Sequence, residues 1–208
     1  MSGIKVARKV DKAMTKVGKK IGFPCTVYRP DSYANPLQDK NIVQEGVNIA
    51  FSVDAAFARN PVDDLTHMQV FASSDVIQVG DIVVCENPPT SIVIESLDPI
   101  RTPSGILANM RMDLYRSVFT PHADKKTSLQ MVGEDIPCAV RFGSTGVSIQ
   151  NSAMSGGKST VEVWTWMPVS YAQFNDVLEI RGVRYTVNAM SSTDKGTRIS
   201  AVSTESGK

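Results

Sequence analysis

From Phe23 to Val202 the apolar residues fall in short runs separated by turn residues, and at Cys25–Tyr28, Gly46–Val53 and Thr160–Met167 they alternate with polar ones. Period-two alternation places one set of side chains on a single face of a strand, so it dictates sheet rather than helix. Strands are read at Cys25–Tyr28, Gly46–Val53, Met68–Ala72, Asp81–Glu86, Ser91–Leu97 and Ile106–Arg116. A second series follows at Ile136–Arg141, Thr160–Met167, Asp176–Ile180, Arg184–Ala189 and Thr197–Val202. Asn87-Pro88-Pro89, Arg181-Gly182 and Asp194-Lys195-Gly196 supply turns, while 30–41 and the Gly/Ser-rich stretch 143–159 read as long loops. Residues 54–66 are left open between a short helix and a loop.

The two series resemble each other. Phe23-Pro24-Cys25-Thr26-Val27 pairs with Ile136-Pro137-Cys138-Ala139-Val140, and Val79-Gly80-Asp81-Ile82-Val83 with Phe174-Asn175-Asp176-Val177-Leu178. In each copy the second motif leads through a turn into another strand. The match requires roughly 18 extra residues in the first copy, between Cys25 and Asp81. Five or six short strands per copy suit a small closed barrel, which leaves no exposed sheet edge. The expected architecture is mainly β: a basic N-terminal helix (1–22), a first barrel (23–116), a linker (117–135), a second barrel (136–203) and a tail (204–208).

The N-terminal segment differs in kind. Val6, Val10, Ala13, Met14, Val17 and Ile21 recur at steps of three and four, the spacing of one helical face, and Gly22-Phe23-Pro24 provides a stop. Lys5, Arg8, Lys9, Lys12, Lys16, Lys19 and Lys20 stand against Asp11 alone, a local charge of +6. The rest of the chain carries −5, from 15 basic and 20 acidic side chains. An isolated helix of this length is marginal in water, so it needs a surface to fold against. Four readings compete: packing into a partner subunit, contact with nucleic acid phosphates, docking on an anionic membrane, and a solvated arm. The apolar face has no Trp, Phe or Leu before Phe23, which weighs against the membrane.

Little points to chemistry. Cys25, Cys85 and Cys138 are widely spaced and lie in β patterns, as buried reduced thiols do. His67 and His122 sit in polar contexts with no neighbour at metal-ligand spacing, so they read as solvated. Gly157-Lys158-Ser159 resembles the end of a phosphate-binding loop, but Ser152 stands where that pattern needs glycine and a strand follows instead of a helix. Asp63-Asp64 and Glu134-Asp135 read as solvated charge. No catalytic residue, cofactor or metal is assigned. No apolar run approaches the roughly 18 residues of a membrane span, and no secretory signal is read, so cytoplasmic synthesis is the default. Trp164 and Trp166 lie two apart on one face of a strand, as core residues or as interface anchors.

The segment Val161-Glu162-Val163-Trp164-Thr165-Trp166, followed by Phe174-Asn175-Asp176-Val177-Leu178-Glu179-Ile180-Arg181-Gly182-Val183-Arg184-Tyr185-Thr186-Val187, resembles the small β-barrel head-closure (stopper) and head–tail joining proteins of tailed bacteriophages. The likeness covers about 136–203 and, more faintly, 23–116. It implies a non-enzymatic virion protein of the neck or tail, a ring of six or twelve copies that extends the DNA channel. The implied partners are further copies of the chain, a portal or adaptor protein, a tail protein and the packaged DNA, without a membrane. Lys5, Lys9, Lys12, Lys16, Lys19 and Lys20 then become contacts to a partner or to DNA in the channel. A second barrel departs from the single barrel usual in that family. The rival reading is a nucleic-acid-binding module built on the same helix.

Overall fold

The structure, a computed structural model, describes residues 3–32, 34–53, 65–119, 127–142, 160–165, 171–193 and 196–203. Among the described residues an α-helix, α1 (Gly3–Ile21), precedes twelve strands: β1 (Phe23–Tyr28), β2 (Ile42–Val53), β3 (His67–Phe71), β4 (Ile82–Cys85), β5 (Thr90–Ser96), β6 (Ser104–Ala108), β7 (Met110–Phe119), β8 (Thr127–Phe142), β9 (Thr160–Thr165), β10 (Val177–Ile180), β11 (Val183–Thr193) and β12 (Gly196–Ser203). They form two closed antiparallel barrels. The first runs β1-β2-β3-β6-β5-β4 and closes back on β1 through pairs such as Val27 with Val83. The second runs β7-β8-β9-β12-β11-β10 and closes through Leu178 with Leu114. Each strand of the first barrel thus has a counterpart six places later, and the connectivity is the same throughout.

The expected fold class therefore holds, with a different partition. The chain divides at Asn109/Met110, and Ser32–Asn35 belongs with the second unit. The expected strand Ile106–Arg116 is two strands: β6 closes the first barrel, and β7 opens the second by pairing with β8 and β10. The expected linker 117–135 is largely strand, because β7 reaches Phe119 and β8 starts at Thr127. Successive residues on both faces of these paired strands lie exposed, Ser117 and Val118 in β7 and Ser128 to Met131 in β8, which gave that stretch its linker composition.

The Pro-Cys match also fails as an equivalence. Cys25 lies in β1, whereas Cys138 lies in β8, whose counterpart is β2. Both cysteines are small inward-facing residues, which explains the likeness without common position. The Asp81 and Asp176 motifs, by contrast, are true counterparts, each immediately preceding the fourth strand of its barrel.

Buried aliphatic side chains fill each unit. Val27, Ile49, Val70, Ile77, Ile92 and Ile94 pack with Cys25 and Cys85 in the first. Met112, Leu114, Ile136, Leu178, Ile180 and Ile199 are fully buried in the second. Arg181 and Gly182 both adopt positive φ (52° and 75°), the conformation a two-residue hairpin between β10 and β11 requires. The expectations for residues 54–64, 143–159, His122 and Trp166 lie outside the described residues.

Candidate functional site

Helix α1 is bound to the first barrel by one face. Ala7, Val10, Asp11, Met14, Thr15, Val17 and Gly18 are partly or fully covered, while Ile4, Val6 and Ile21 are exposed. The expected apolar face is thus only half right: Val10, Met14 and Val17 point towards the barrel, and Val6, Ala13 and Ile21 do not. Gly18 decides the fit. A Cβ there would lie 2.6 Å from the Phe71 carbonyl oxygen and 2.8 Å from that of Asn48, so only glycine lets the helix approach β2 and β3 this closely. The helix stops where Gly22 N–H donates to the Gly18 carbonyl (2.8 Å).

Asp11, the only acid in the helix, is spent on this contact. Its Oδ1 accepts from Ser74 N–H (2.8 Å) and Ser74 Oγ (2.9 Å), with Ser73 Oγ at 3.3 Å from Oδ2. These bonds, led by the Ser74 amide, hold its carboxyl below the usual range. Asp11 is therefore an anchor of the helix on the barrel.

The lysines take the opposite side. At about 100° per residue, Lys5, Lys9, Lys12, Lys16, Lys19 and Lys20 fall within an arc of roughly 100°, with Arg8 about 20° beyond it. All seven are exposed. Lys19 and Lys20 also sit in the last turn, where cations complement the helix dipole. The sequence-predicted contact residues are thus brought together on one outward ridge.

The repeated turn is the second constellation. In the first barrel Asp81, 1% exposed, receives Arg29 Nε on Oδ1 and Nη2 on Oδ2, both at 2.8 Å, and Gln78 N–H on Oδ2 at 2.7 Å. In the second, Asp176 receives Arg116 Nε at 3.1 Å, Nη2 at 3.0 Å and Gln173 N–H at 2.7 Å. The backbone repeats too: Ile94 N–H donates to the Asp81 carbonyl as Val187 N–H donates to that of Asp176, each at 2.8 Å. Gly80 and Asn175, at φ 89° and 67°, occupy the left-handed position between them. The carboxylates raise both arginine pKa values further, chiefly by direct hydrogen bonding. Arginine and aspartate are 52 residues apart in the first clasp and 60 in the second, so the second copy is the longer, not the first. Each clasped turn presents an exposed apolar side chain at the same place, Val79 (51%) and Phe174 (61%). Neither was singled out in the sequence, although the pairing of the two motifs already aligned them.

The remaining candidates settle as structure. His67, expected to be solvated, begins β3 and is buried, with Nδ1 3.2 Å from Glu95 Oε2 in an equally buried pair. Trp164 lies in β9 opposite Ala139 and Arg198; its side chain is outside the described residues. Among the described residues no group of His, Cys, Asp or Glu is arranged to hold a metal ion, and no helix is long and apolar enough to cross a membrane.

The thiols are closed off. Cys25 and Cys85 face each other across β1 and β4, and burial, then the neighbouring Cys85, pushes the Cys25 thiol up to about 12; burial alone does the same for Cys138. A chromogenic disulfide reagent at pH 8 is therefore expected to find no fast-reacting thiol in the native protein and three after denaturation.

No family model matches the chain, and comparisons with curated proteins and with solved structures found no match either.

Proposed function

We propose that this protein is a structural component of a phage neck or tail, a ring-forming head-to-tail connector that acts by assembly. The observation that carries the reading is the repeated architecture. Two barrels of identical connectivity each hold an exposed apolar side chain on a turn locked by an Arg–Asp clasp whose carboxylate is buried. A side chain carried on a turn fixed in this way brings less backbone freedom to lose on contact, which favours its use as an anchor between subunits. A chain with two such anchors on separate units is suited to head-to-tail association, and head-to-tail contacts generate rings when the rotation closes. The residues that resemble head-closure proteins include the second of these turns.

The test is the mass of the purified protein in solution, for the wild type and for Phe174→Ser. Wild-type material is expected as a closed oligomer, or as a protomer that enters a ring on a portal complex, with Phe174→Ser shifted towards the monomer. A strictly monomeric wild type that never joins portal or tail proteins would falsify the proposal.

The second reading, a nucleic-acid-binding module, is favoured by one specific observation, the uninterrupted cationic ridge of α1. The ridge is compatible with both readings.

A further inference from the structure

We infer that the outward face of α1 is a contact surface for the phosphates of double-helical nucleic acid, read by charge and not by sequence. The inference rests on the connector reading only for where a duplex would be met; the contact itself belongs to the isolated protein.

Part of the helix surface is already used. Its apolar positions Val10 and Met14 and its one acid, Asp11, are committed to the barrel. A membrane-surface helix must bury a broad apolar face among acyl chains, whereas here Val10, Met14 and Val17 turn towards the barrel and only Ile4, Val6, Ala13 and Ile21 are left exposed. An anchor inserted into a partner's groove needs the same face. The continuous row that remains accessible is one of cations, with no anion among them.

The row is also straight and long. A helix of 19 residues extends about 28 Å. Successive cations at Lys5, Lys9, Lys12, Lys16 and Lys19 advance by about 4.5 to 6 Å along it. A polyanion with regularly spaced charges along a stiff rod matches this pattern, and a nucleic acid duplex is one. The ridge offers no aromatic side chain, so it lacks the stacking platform that single strands exploit. Six of its seven cations are lysines, which meet phosphate as point charges without the bidentate geometry that reads guanine. Asp11, held ionised by Ser73 and Ser74, is directed away from the ridge and does not repel the ligand.

The experiment measures binding of the purified full chain to a labelled 30-base-pair duplex of arbitrary sequence between 50 and 200 mM salt. Engagement of five to seven phosphates gives a slope of log K against log salt of about −5 to −6. The variant Lys5→Gln/Lys9→Gln/Lys12→Gln/Lys16→Gln is expected to lower the slope's magnitude by about 3 to 4 and weaken low-salt binding on the order of a hundredfold or more. Circular dichroism should show the helix retained, since glutamine is a good helix former. The wild-type slope tests the inference even where that variant does not fold. A duplex affinity indifferent to salt, or a folded quadruple variant that binds like wild type, would overturn it. So would tighter binding to the matching single strand, or binding to phosphatidylserine vesicles without binding to duplex. Because oligomeric mass is measured separately, a protein that binds duplex yet stays monomeric even with portal or tail proteins refutes the ring and keeps the ridge, and a ring that does not bind refutes only the ridge.

Discussion

Arg29→Ala should destabilise the first barrel by about 3 kcal/mol, and Arg116→Ala should do the same to the second. Each substitution strips a carboxylate that is 1–2% exposed of its only side-chain counter-ion described in the structure. Asp81 and Asp176 are left with the backbone N–H of Gln78 or Gln173. Removing one partner of a buried pair costs about 3–5 kcal/mol, because the remaining charge cannot return to water. The lower end applies here, since both arginines keep roughly a third of their side chains in solvent and some water reaches the pair. The charge-neutral control is the double replacement Arg29→Ala/Asp81→Ala, expected to cost less than Arg29→Ala alone. Amide hydrogen exchange should report the site: Gly80 and Ile94 lose protection in the first variant, Asn175 and Val187 in the second. Denaturant unfolding gives the magnitude.

The clasps show what a sequence discloses and what it withholds. Short apolar runs at Ile82–Cys85 and Val177–Ile180, bounded by turn residues, exposed the strands, and the aspartate before each was visible as a repeated letter. The arginines were not, because a partner more than fifty residues away leaves no local period. The false Pro-Cys match has the opposite cause. An inward-facing cysteine suits any barrel strand, so its recurrence carries no position. His67 was misjudged for a related reason: polar neighbours in sequence conceal a buried partner, Glu95, supplied by another strand. For α1, periodicity showed which residues were apolar but not how the helix would sit. The seat is determined by Gly18 and Asp11, a small residue and an acid, and neither contributes to an apolar pattern.

That seat can be tested with one methyl group. Alanine raises intrinsic helix propensity over glycine by about 1 kcal/mol, so Gly18→Ala in a free helix would increase helicity. Here the added Cβ would meet two carbonyl oxygens, of Phe71 and Asn48, at 2.6 and 2.8 Å, and both belong to paired strands that cannot easily withdraw. Overpacking of this kind costs about 1–3 kcal/mol, which exceeds the gain. The helix must lift, and lifting stretches the Asp11 bonds to Ser74 as well. Once undocked it is a short helix with like charges at Lys5/Lys9, Lys12/Lys16 and Lys16/Lys20, each pair four apart and mutually repulsive. The expected result is a loss of helical signal at 222 nm from a substitution that favours helix, with strand signal and the barrels' unfolding transition retained. Duplex binding should weaken in the same variant although no charge has changed. Net charge alone would leave affinity untouched, so the difference between Gly18→Ala and wild type measures how much of the ridge's effect comes from holding its lysines in line.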